Sequence, residues 1–385
     1  MSTSTMVPPA RSFATRVRRR LRRATLRVPR LEPQPKPMAF DPPAHAGRVK
    51  AVARAEFSRY RMAVPRAKAD WSDVHFIDGS PIPFATTPIR TLPEQGYARF
   101  FRGRAIGAQG WPVSARDYLL IDAFMVHESK NYRKYADRVT LRPPHVLQGD
   151  VINLAAPFAS LNYGHSLLDG LGRLGVLQLA GYDITRADHV IVPAFKSQTI
   201  TTILNRAGIA SDRLVEAGQG TQYVCDYLVQ ATFPGAPRSY SAAPAHFMRS
   251  LGVGDPASPR RRLLILRKGE KRAVENFDEI EALASEFDLE LYDPRASDFS
   301  PEDFANAELV IGAHGAALAD IGFCAPGAAL IEFIPSAHCH PYFATLAVSS
   351  GLQYRAVPAQ SVVPESAANI VLDPAQVRAA LNSLG

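Results

Sequence analysis

The chain has 385 residues, more than one ordinary hydrophobic core holds, and this length predicts two domains of about 150–200 residues each. Hydrophobic residues make up 46% and charged residues 21%, as in globular proteins, and no run of 18 consecutive apolar residues occurs to predict a membrane-spanning helix. Residues 1–40 have a charge of +9, from nine arginines and Lys36 against Glu32. The whole chain has a net charge of +8, so the other residues sum to −1, and no nucleic-acid-binding face is predicted.

The segment ARSFATRVRRRLRRATLRVPR is the most basic part of the sequence. It lacks the apolar core of a secretory signal peptide. Its composition leaves three interpretations open. It could be a mitochondrial transit peptide, an arm in which residues 11–30 contact anionic lipid at about 1 kcal/mol per basic residue, or a solvated tail. We assign residues 1–45 to a basic, disordered tail.

Three cysteines, Cys225, Cys324 and Cys339, show no C-x-x-C spacing. An odd number of scattered cysteines argues against both a disulfide framework and a zinc site, and it favours reduced thiols. We therefore expect a cytoplasmic protein, at most peripheral on the inner face of the membrane.

The elements of the first half become regular after residue 150. Residues 45–150 contain only short strand-like runs such as DYLLIDAFMV, between turns. Then follow a helix with leucines three and four residues apart (HSLLDGLGRLGVLQLAG), a buried strand (HVIVPAF), a helix near 197–208 and a strand (YLVQATFPG). Alternating helices and apolar strands predict an α/β domain with a parallel sheet, over residues 46–240.

A Pro-, Gly- and Ser-rich stretch over 241–261 predicts a linker. Beyond it, residues 262–372 predict a second α/β domain, and 373–385 a terminal helix with Asp373 as N-cap and Pro374 at its first position. The strands expected in this domain are RLLILRK, LELYD, ELVIG, ALIEFIP and LQYRAVP, and the helices are NFDEIEALASEF, SPEDFANA and one before LQYRAVP. Asn276 with Glu279 suggests a capping box for the first of these helices.

Two motifs bear on chemistry. GHSLLDG (164–170) contains the H-x-x-x-D-G pattern of CoA-dependent acyltransferases, in which the histidine is a general base. In AHGAAL, the strand ELVIG ends at Gly312 and is followed by His314 and Gly315 in a tight turn before a helix of small residues. Ligands of α/β sheets bind at the carboxyl ends of strands, and a helix N-terminus there favours phosphate.

The stretches NYGHSLLDGLGRL, LLILRK with Arg272 and Asn276, VIGAHGAAL and FCAPGAALIEFIP resemble glycosyltransferase family 61, over roughly residues 150–335. The resemblance implies a GT-B fold, in which two Rossmann-like domains with parallel sheets face each other across a cleft. It also implies inverting transfer from a nucleotide sugar held mainly by the C-terminal domain. Two positions depart from the family: Ala319-Asp320 replaces the usual Thr-Asn, and Arg267-Lys268 replaces a pair of arginines. Asp320 would repel a diphosphate, so we expect it either to point away or to change the donor contacts.

The reaction needs cations or dipoles that stabilise the leaving diphosphate. No D-x-D metal motif occurs in the chain, so we expect no metal and no cofactor besides the nucleotide sugar, most simply a UDP-sugar. The residues assigned to the donor are Arg267, Lys268, Arg272, Gly312, His314, Gly315, Ala316 and Glu332. Of these, Glu332 would accept ribose hydroxyls, and a partnered carboxylate at a strand end is its alternative.

An inverting displacement also needs a base for the acceptor hydroxyl. His165 and Asp169 are four residues apart on one helix face, so Asp169 could orient the imidazole of His165 as the base. Asn162 and Arg173 are assigned to the acceptor side, although Arg173 could instead pair with Asp169 in a structural ladder.

The sequence thus predicts a glycosyltransferase that acts on a glycan or lipid-linked glycan, in surface or capsular polysaccharide synthesis. Two alternatives remain: a CoA-dependent acyltransferase, which the H-x-x-x-D-G pattern alone suggests, and a non-catalytic scaffold that binds nucleotide sugars.

Overall fold

The computed structural model describes residues 38–39, 45–70, 74–86, 89–123, 140–194, 198–255, 260–267, 269–295 and 301–384. Residues 11–30 and Lys268 lie outside these ranges, so the predictions made for them stay predictions. Residues 38–385 form one compact unit. This unit does not separate the two domains and the linker expected from the sequence, so that division also stays a prediction. No helix in the described part of the chain is long and apolar enough to cross a membrane.

The architecture is mixed α/β, as the alternation of elements predicted. The strands, in chain order, are β1 (Met38–Ala39), β2 (His45–Gly47), β3 (Tyr60–Val64), β4 (Ala67–Asp70), β5 (Ile89–Leu92), β6 (Gln95–Phe101), β7 (Arg104–Ile106), β8 (Trp111–Val113), β9 (Tyr118–Leu120), β10 (Thr140–Leu141), β11 (His145–Asn153), β12 (His189–Pro193), β13 (Leu214–Ala217), β14 (Gln222–Ala231), β15 (Gly235–Ala236), β16 (Ser239–Tyr240), β17 (Arg261–Ile265), β18 (Glu290–Tyr292), β19 (Ala307–Ala313), β20 (Ala329–Pro335), β21 (Gln353–Ser361) and β22 (Ile370–Leu372).

The α-helices are α1 (Val49–Ala55), α2, α3 (Gln198–Arg206), α4 (Ala243–Ser250), α5 (Phe277–Glu286), α6 (Pro301–Ala305), α7 (Tyr342–Ser349) and α8 (Pro374–Asn382). Helix α2 has three consecutive segments: Tyr163–His165, the π-helical Ser166–Leu171, and Gly172–Leu179. Five 3-10 helices also occur in the described ranges: Pro83–Thr86, Ile121–Ala123, Ile184–Arg186, Ser211–Arg213 and Ala316–Phe323.

The larger of the two main sheets has a parallel centre, in the order β13-β12-β11-β14. Strands β6 and β7 pair antiparallel with β14 and extend this sheet into the region before residue 123, which the sequence pattern left unsegmented. The apolar side chains of β12 and those at the carboxyl ends of β11 and β14 are buried, because helices cover a parallel sheet.

The second sheet has six strands in the order β18-β17-β19-β20-β21-β22, parallel except for β22. Strands β19 and β20 are almost completely buried. Their register places Gly312 opposite Glu332 and Ala313 opposite Phe333. The carboxyl ends of β17, β19 and β20 therefore lie side by side at one edge, which is where the site is found.

The predicted elements after residue 150 are confirmed, with ends shifted by a few residues. Asp373 caps α8, since its carboxylate accepts a hydrogen bond from the amide of Ala375 (2.9 Å). The capping box at α5 is wrong. The side chain of Asn276 makes no cap bond; it bonds instead to the backbone of Leu372, as donor at 2.8 Å and acceptor at 3.0 Å. A tertiary contact has replaced the local one.

Helix α4 lies within the stretch predicted as a linker, and it packs against α2 and against the 3-10 helix Ala316–Phe323. A Cβ on Gly175 of α2 would collide with the carbonyl of Ala243, and one on Gly322 would collide with the sulfur of Met248. Glycine thus permits the close approach of α4 on each side. One hydrophobic core contains residues of both sheets' helices, including Leu174, Phe247 and Leu318, with Leu263 and Val310 of the six-stranded sheet.

Candidate functional site

A pocket lies where the carboxyl ends of β17, β19 and β20 meet the start of α2, which follows β11. Six residues predicted from the sequence line it: Asn162, His165, Arg272, His314, Gly315 and Ala316. The other lining residues are Gly164, Leu168, Tyr240, His338, Tyr342 and Phe343. The location follows the general rule for α/β sheets, and the structure brings the two sequence motifs together in one cavity.

The first group of hydrogen-bonded side chains is the helix triad, His165, Asp169 and Tyr240. His165 Nδ1 lies 2.9 Å from Asp169 Oδ2, so an Nδ1–H donates to the carboxylate. The Tyr240 hydroxyl donates to the other oxygen, Asp169 Oδ1, at 2.5 Å. The contact predicted from the i, i+4 spacing is confirmed. It leaves Nε2 as the unbonded ring nitrogen of a histidine that lines the pocket.

The backbone around His165 is irregular. Asn162 caps α2, because its side-chain oxygen accepts a hydrogen bond from the amide of His165 (3.2 Å). The helix then widens into the π-helical segment Ser166–Leu171, which contains Asp169. Such segments are rare and occur frequently at functional sites. Asn162 is therefore part of the pocket and also fixes the first turn that presents His165.

The charge state of His165 depends on its carboxylate. Burial lowers the pKa of His165, but the hydrogen bond and the charge of Asp169 together raise it above the ordinary value. The Tyr240 hydroxyl stays protonated, since burial and Asp169 raise its pKa well above 10. Asp169 itself is 2% exposed, so both its oxygens are committed to these partners.

The second group is the strand triad, His314, Glu332 and Tyr354. His314 Nδ1 lies 2.6 Å from Glu332 Oε1, and the Tyr354 hydroxyl donates to Glu332 Oε2 at 2.8 Å. Glu332 is completely buried. This corrects the prediction of a ribose-binding carboxylate: both oxygens are occupied within the protein, and Glu332 holds the ring of His314.

Two of the predicted donor cations, Arg267 and Arg272, contact the AHGAAL turn. Arg272 donates from Nε to the carbonyl of His314 (2.7 Å) and from Nη1 to the carbonyl of Ser366 (2.9 Å). Arg267 covers Gly315, where a Cβ would collide with its guanidinium, and only 9% of its side chain is exposed. Gly312 lies within β19 and packs against Ile265, outside the pocket lining.

Arg173 is not in the pocket. It is completely buried, and it donates to the carbonyls of Asn153 (3.2 Å), Ala155 (3.0 Å) and Ala123 (2.8 Å). Burial lowers its pKa to about 10. Its position corrects its assignment to the acceptor side, since it supports the loop between β11 and α2 from behind.

Asp320 points into the protein, which is the first of the two outcomes expected from the repulsion it would exert on a diphosphate. Its carboxyl accepts a hydrogen bond from the hydroxyl of Tyr163 (2.6 Å), which is two residues before His165. Burial raises the pKa of Asp320 to about 8, although this hydrogen bond opposes the shift. The pair connects the 3-10 helix after His314 to the first turn of α2.

Sequence reasoning missed Tyr240, Tyr342, His338 and the neighbouring His340. The histidines of SAHCHPYF directly follow the strand ALIEFIP, and this position at a carboxyl end was the available signal. The sequence carried no signal for Tyr240 and Tyr342, because these tyrosines reach the pocket only through tertiary packing. In the part of the chain that the structure describes, no three His, Cys, Asp or Glu side chains are grouped as ligands of a metal ion. The expectation of a metal-free reaction stays a prediction.

Comparison with known proteins identifies the matched part of the chain. The family model described as Glycosyltransferase 61 matches residues 163–331, a range that contains both motifs, His165, Asp169, Arg272 and His314. No curated protein matches the sequence. The H-x-x-x-D-G pattern therefore lies inside a glycosyltransferase domain, and neither an acyltransferase nor a scaffold is needed to explain it. Residues 163–331, somewhat less than half of the chain, thus contain a glycosyltransferase family 61 domain, and this domain supports a glycosyltransferase.

Proposed function

We propose that this protein transfers a sugar from a nucleoside diphosphate sugar, most simply a UDP-sugar, to a glycan hydroxyl, with inversion at the anomeric carbon. The observation that carries the proposal is the meeting of the two triads. His165 and His314 line the same pocket, and each is held through Nδ1 by a buried carboxylate. One histidine is thus available to the acceptor and the other to the donor.

The acceptor side is assigned to the helix triad. The acceptor oxygen attacks the anomeric carbon while the bond from that carbon to the phosphate oxygen breaks. The electron pair of the broken bond goes to the diphosphate, and the hydroxyl proton goes to Nε2 of His165. Asp169 stabilises the imidazolium that forms, as carboxylates do for histidine bases.

Residues around His165 suit a sugar acceptor. Phe158 is 46% exposed, and its ring centroid lies 5.6 Å from that of His165. Its φ of +67° is unusual for a bulky residue, and such backbone strain clusters at binding sites. Leu161 is 83% exposed on the same loop. An apolar surface beside the base would support one face of a sugar ring.

The donor side is assigned to Arg267, Arg272 and the turn at His314 and Gly315. Fixed cations and the free amides at the start of the 3-10 helix Ala316–Phe323 suit a diphosphate, whose charge grows as the bond breaks. Because the cations are built into the chain and no D-x-D motif occurs, we propose that the reaction needs no metal ion.

We further propose that the two sheets correspond to the two domains of a GT-B fold, with the pocket in the cleft between them. The parallel centre β13-β12-β11-β14 and the parallel strands β17 to β21 support this assignment. A role in surface polysaccharide synthesis, on a glycan or lipid-linked glycan at the inner face of the membrane, is part of the same proposal. Contact of residues 11–30 with anionic lipid would assist it.

A donor screen tests the function. Purified protein is incubated with UDP-, GDP- and CMP-sugars and a panel of glycan acceptors, with and without EDTA, and nucleotide release is followed. We expect release from a UDP-sugar that depends on acceptor and is unchanged by EDTA. The anomeric configuration of the product, read by NMR, should be opposite to that of the donor. A retained configuration, or activity only with added manganese, would contradict the proposed mechanism.

A further inference from the structure

Basic side chains from four separate segments lie in the pocket lining or next to it. They are Arg238 in the β15–β16 turn, Arg272 after β17, His314 at the end of β19, and the pair His338 and His340 after β20. The ring centroids of His338 and His340 are 4.6 Å apart, and those of His314 and His338 are 5.1 Å apart. Arg238 Nη1 lies 3.4 Å from His340 Nδ1. Such an arrangement brings together two arginines and three imidazoles that are remote in sequence.

Acidic groups do not balance this cluster within the described residues. Glu332 is committed to His314 from behind, and Asp169 is committed to His165 and Tyr240. Glu270 pairs with Arg267 at 3.4 Å, and its charge also acts on Arg272 without forming an ion pair with it. Neither Arg238 nor Arg272 forms an ion pair with a described carboxylate, so the cluster has the composition of an anion site without its anion.

The surroundings of His338 and His340 lower the pKa of both imidazoles. Burial lowers the pKa of His338 to about 3, with further lowering by His314, Arg272, His340 and Arg238. Burial and the charges of Arg238 and His314 lower the pKa of His340 to about 4. In the unliganded protein both rings are therefore neutral at ordinary pH, and they are kept neutral in part by the cations that an anion would neutralise.

We propose that His338 and His340, together with Arg238 and Arg272, form a binding site for the diphosphate of the donor, and that a proton from solvent joins the histidine pair when the diphosphate binds. The proposal rests on the nucleotide-sugar-dependent function described above. Two neutral imidazoles offer hydrogen bonds to the phosphate oxygens, and the bound negative charge favours the protonated ring. Protonation is coupled to binding, so affinity for the diphosphate rises as pH falls.

This site has a consequence for catalysis. Negative charge on the diphosphate increases when the glycosidic phosphate bond breaks, and a histidine pair that gains its proton only with the anion would bind the product more tightly than the donor. Product release should then be favoured at higher pH.

Isothermal titration calorimetry tests the coupling. Inorganic pyrophosphate and UDP are titrated into the full chain at pH 7.5 in two buffers of different ionisation enthalpy, which measures protons taken up per anion bound. The test variant is H338Q/H340Q, and the matched control is H246Q, since His246 is an exposed histidine on α4 away from the pocket. The ionisation of the ligand is common to all proteins, so the difference between them belongs to the histidines.

We expect the native protein and H246Q to take up more protons than H338Q/H340Q, and pyrophosphate to bind the double variant about tenfold or more weakly. Equal uptake or equal affinity in the native protein and the double variant overturns the proposal. If the double variant does not fold, R238Q replaces it, because Arg238 is exposed in a turn. R238Q should then bind pyrophosphate more weakly, and unchanged binding would overturn the proposal.

The donor screen separates this proposal from the proposed function. Turnover of a nucleotide sugar, with no difference in proton uptake between native protein and double variant, overturns the histidine site alone. Proton-linked binding of pyrophosphate without binding of UDP or turnover of any nucleotide sugar supports the anion site and contradicts the donor assignment.

Discussion

The helix triad and the strand triad have the same chemistry, tyrosine to carboxylate to histidine, but they differ in exposure. The His165 side chain is 23% exposed, whereas that of His314 is 4% exposed. Their carboxylates are equally buried, Asp169 at 2% and Glu332 at 0%. A base must be reached by the acceptor, while a group that positions a phosphate gains from rigidity, and the difference in exposure matches these two tasks.

The triads also differ in how they are assembled. The helix triad joins His165 to Asp169 within one helical turn. The strand triad joins residues 18 apart through the register of β19 and β20, which places Glu332 opposite Gly312, two residues before His314. The pairing of histidine and carboxylate in the helix triad follows from residue spacing within one helix, whereas in the strand triad it follows from the pairing of two parallel strands. Variants in each triad should therefore separate a chemical role from a positioning role.

The largest effect is expected for H165A, which removes the proposed base. We expect kcat to fall about 100- to 10,000-fold, the usual contribution of a general base, with binding of UDP retained. Steady-state nucleotide release and calorimetry measure the two quantities. H246A is the control and should keep full activity, since His246 is exposed and away from the pocket. Full activity of H165A would refute the assignment of the base.

D169N should rank next, with a fall in kcat of about 100-fold, because the ring of His165 loses its charged partner. In the proposed mechanism the neutral imidazole is the active form, so activity should decline as pH falls below the pKa of His165. Burial lowers that pKa and Asp169 raises it by more, so D169N should shift the acidic limb of the pH profile to lower pH. The profile of kcat/KM measures this, with the exposed Asp212 changed to Asn as control. An unshifted limb would show that another group controls it.

E332Q tests the strand triad and should act on stability and donor binding rather than on the proton-transfer step. Two buried hydrogen bonds to a carboxylate are weakened, so we expect a loss of about 2 kcal/mol in the free energy of unfolding and a higher donor KM. Urea unfolding and donor kinetics measure these effects, and E281Q on the exposed face of α5 is the control. A shift of the acidic limb like that of D169N would place Glu332 in the proton-transfer step.

The smallest effect is expected at the Tyr163–Asp320 pair, which links the two triads but contains no histidine. The folded-state pKa of Asp320 is about 8, raised from the ordinary 3.8, so the unfolded chain releases this proton at lower pH than the folded one. Stability therefore falls as pH rises between about 4 and 8. D320N should remove this slope, whereas D278N on the surface of α5 should keep it. Unfolding curves at several pH values measure it, and an unchanged slope in D320N would contradict the assignment.

Much of the fold could be predicted because its signals are local. Apolar runs such as HVIVPAF and ALIEFIP marked β12 and β20, and Asp373 with Pro374 marked the start of α8. The capping box at Asn276 failed because its side chain found a partner in Leu372, 96 residues away. Helix α4 was hidden in a Pro-rich stretch, because its stability comes from packing on both sides rather than from its own pattern.

The sequence by itself determined the α/β class, the two motifs, and the pairing of His165 with Asp169, because periodicity and helical spacing act within a few residues of the chain. Only the tertiary structure decided what surrounds them. Strand register places Glu332 beside His314, and Arg173 is buried outside the pocket. Long-range packing places Tyr240 and His338 in the pocket lining. These outcomes depend on contacts between distant segments, and neither composition nor spacing carries the geometry that selects them.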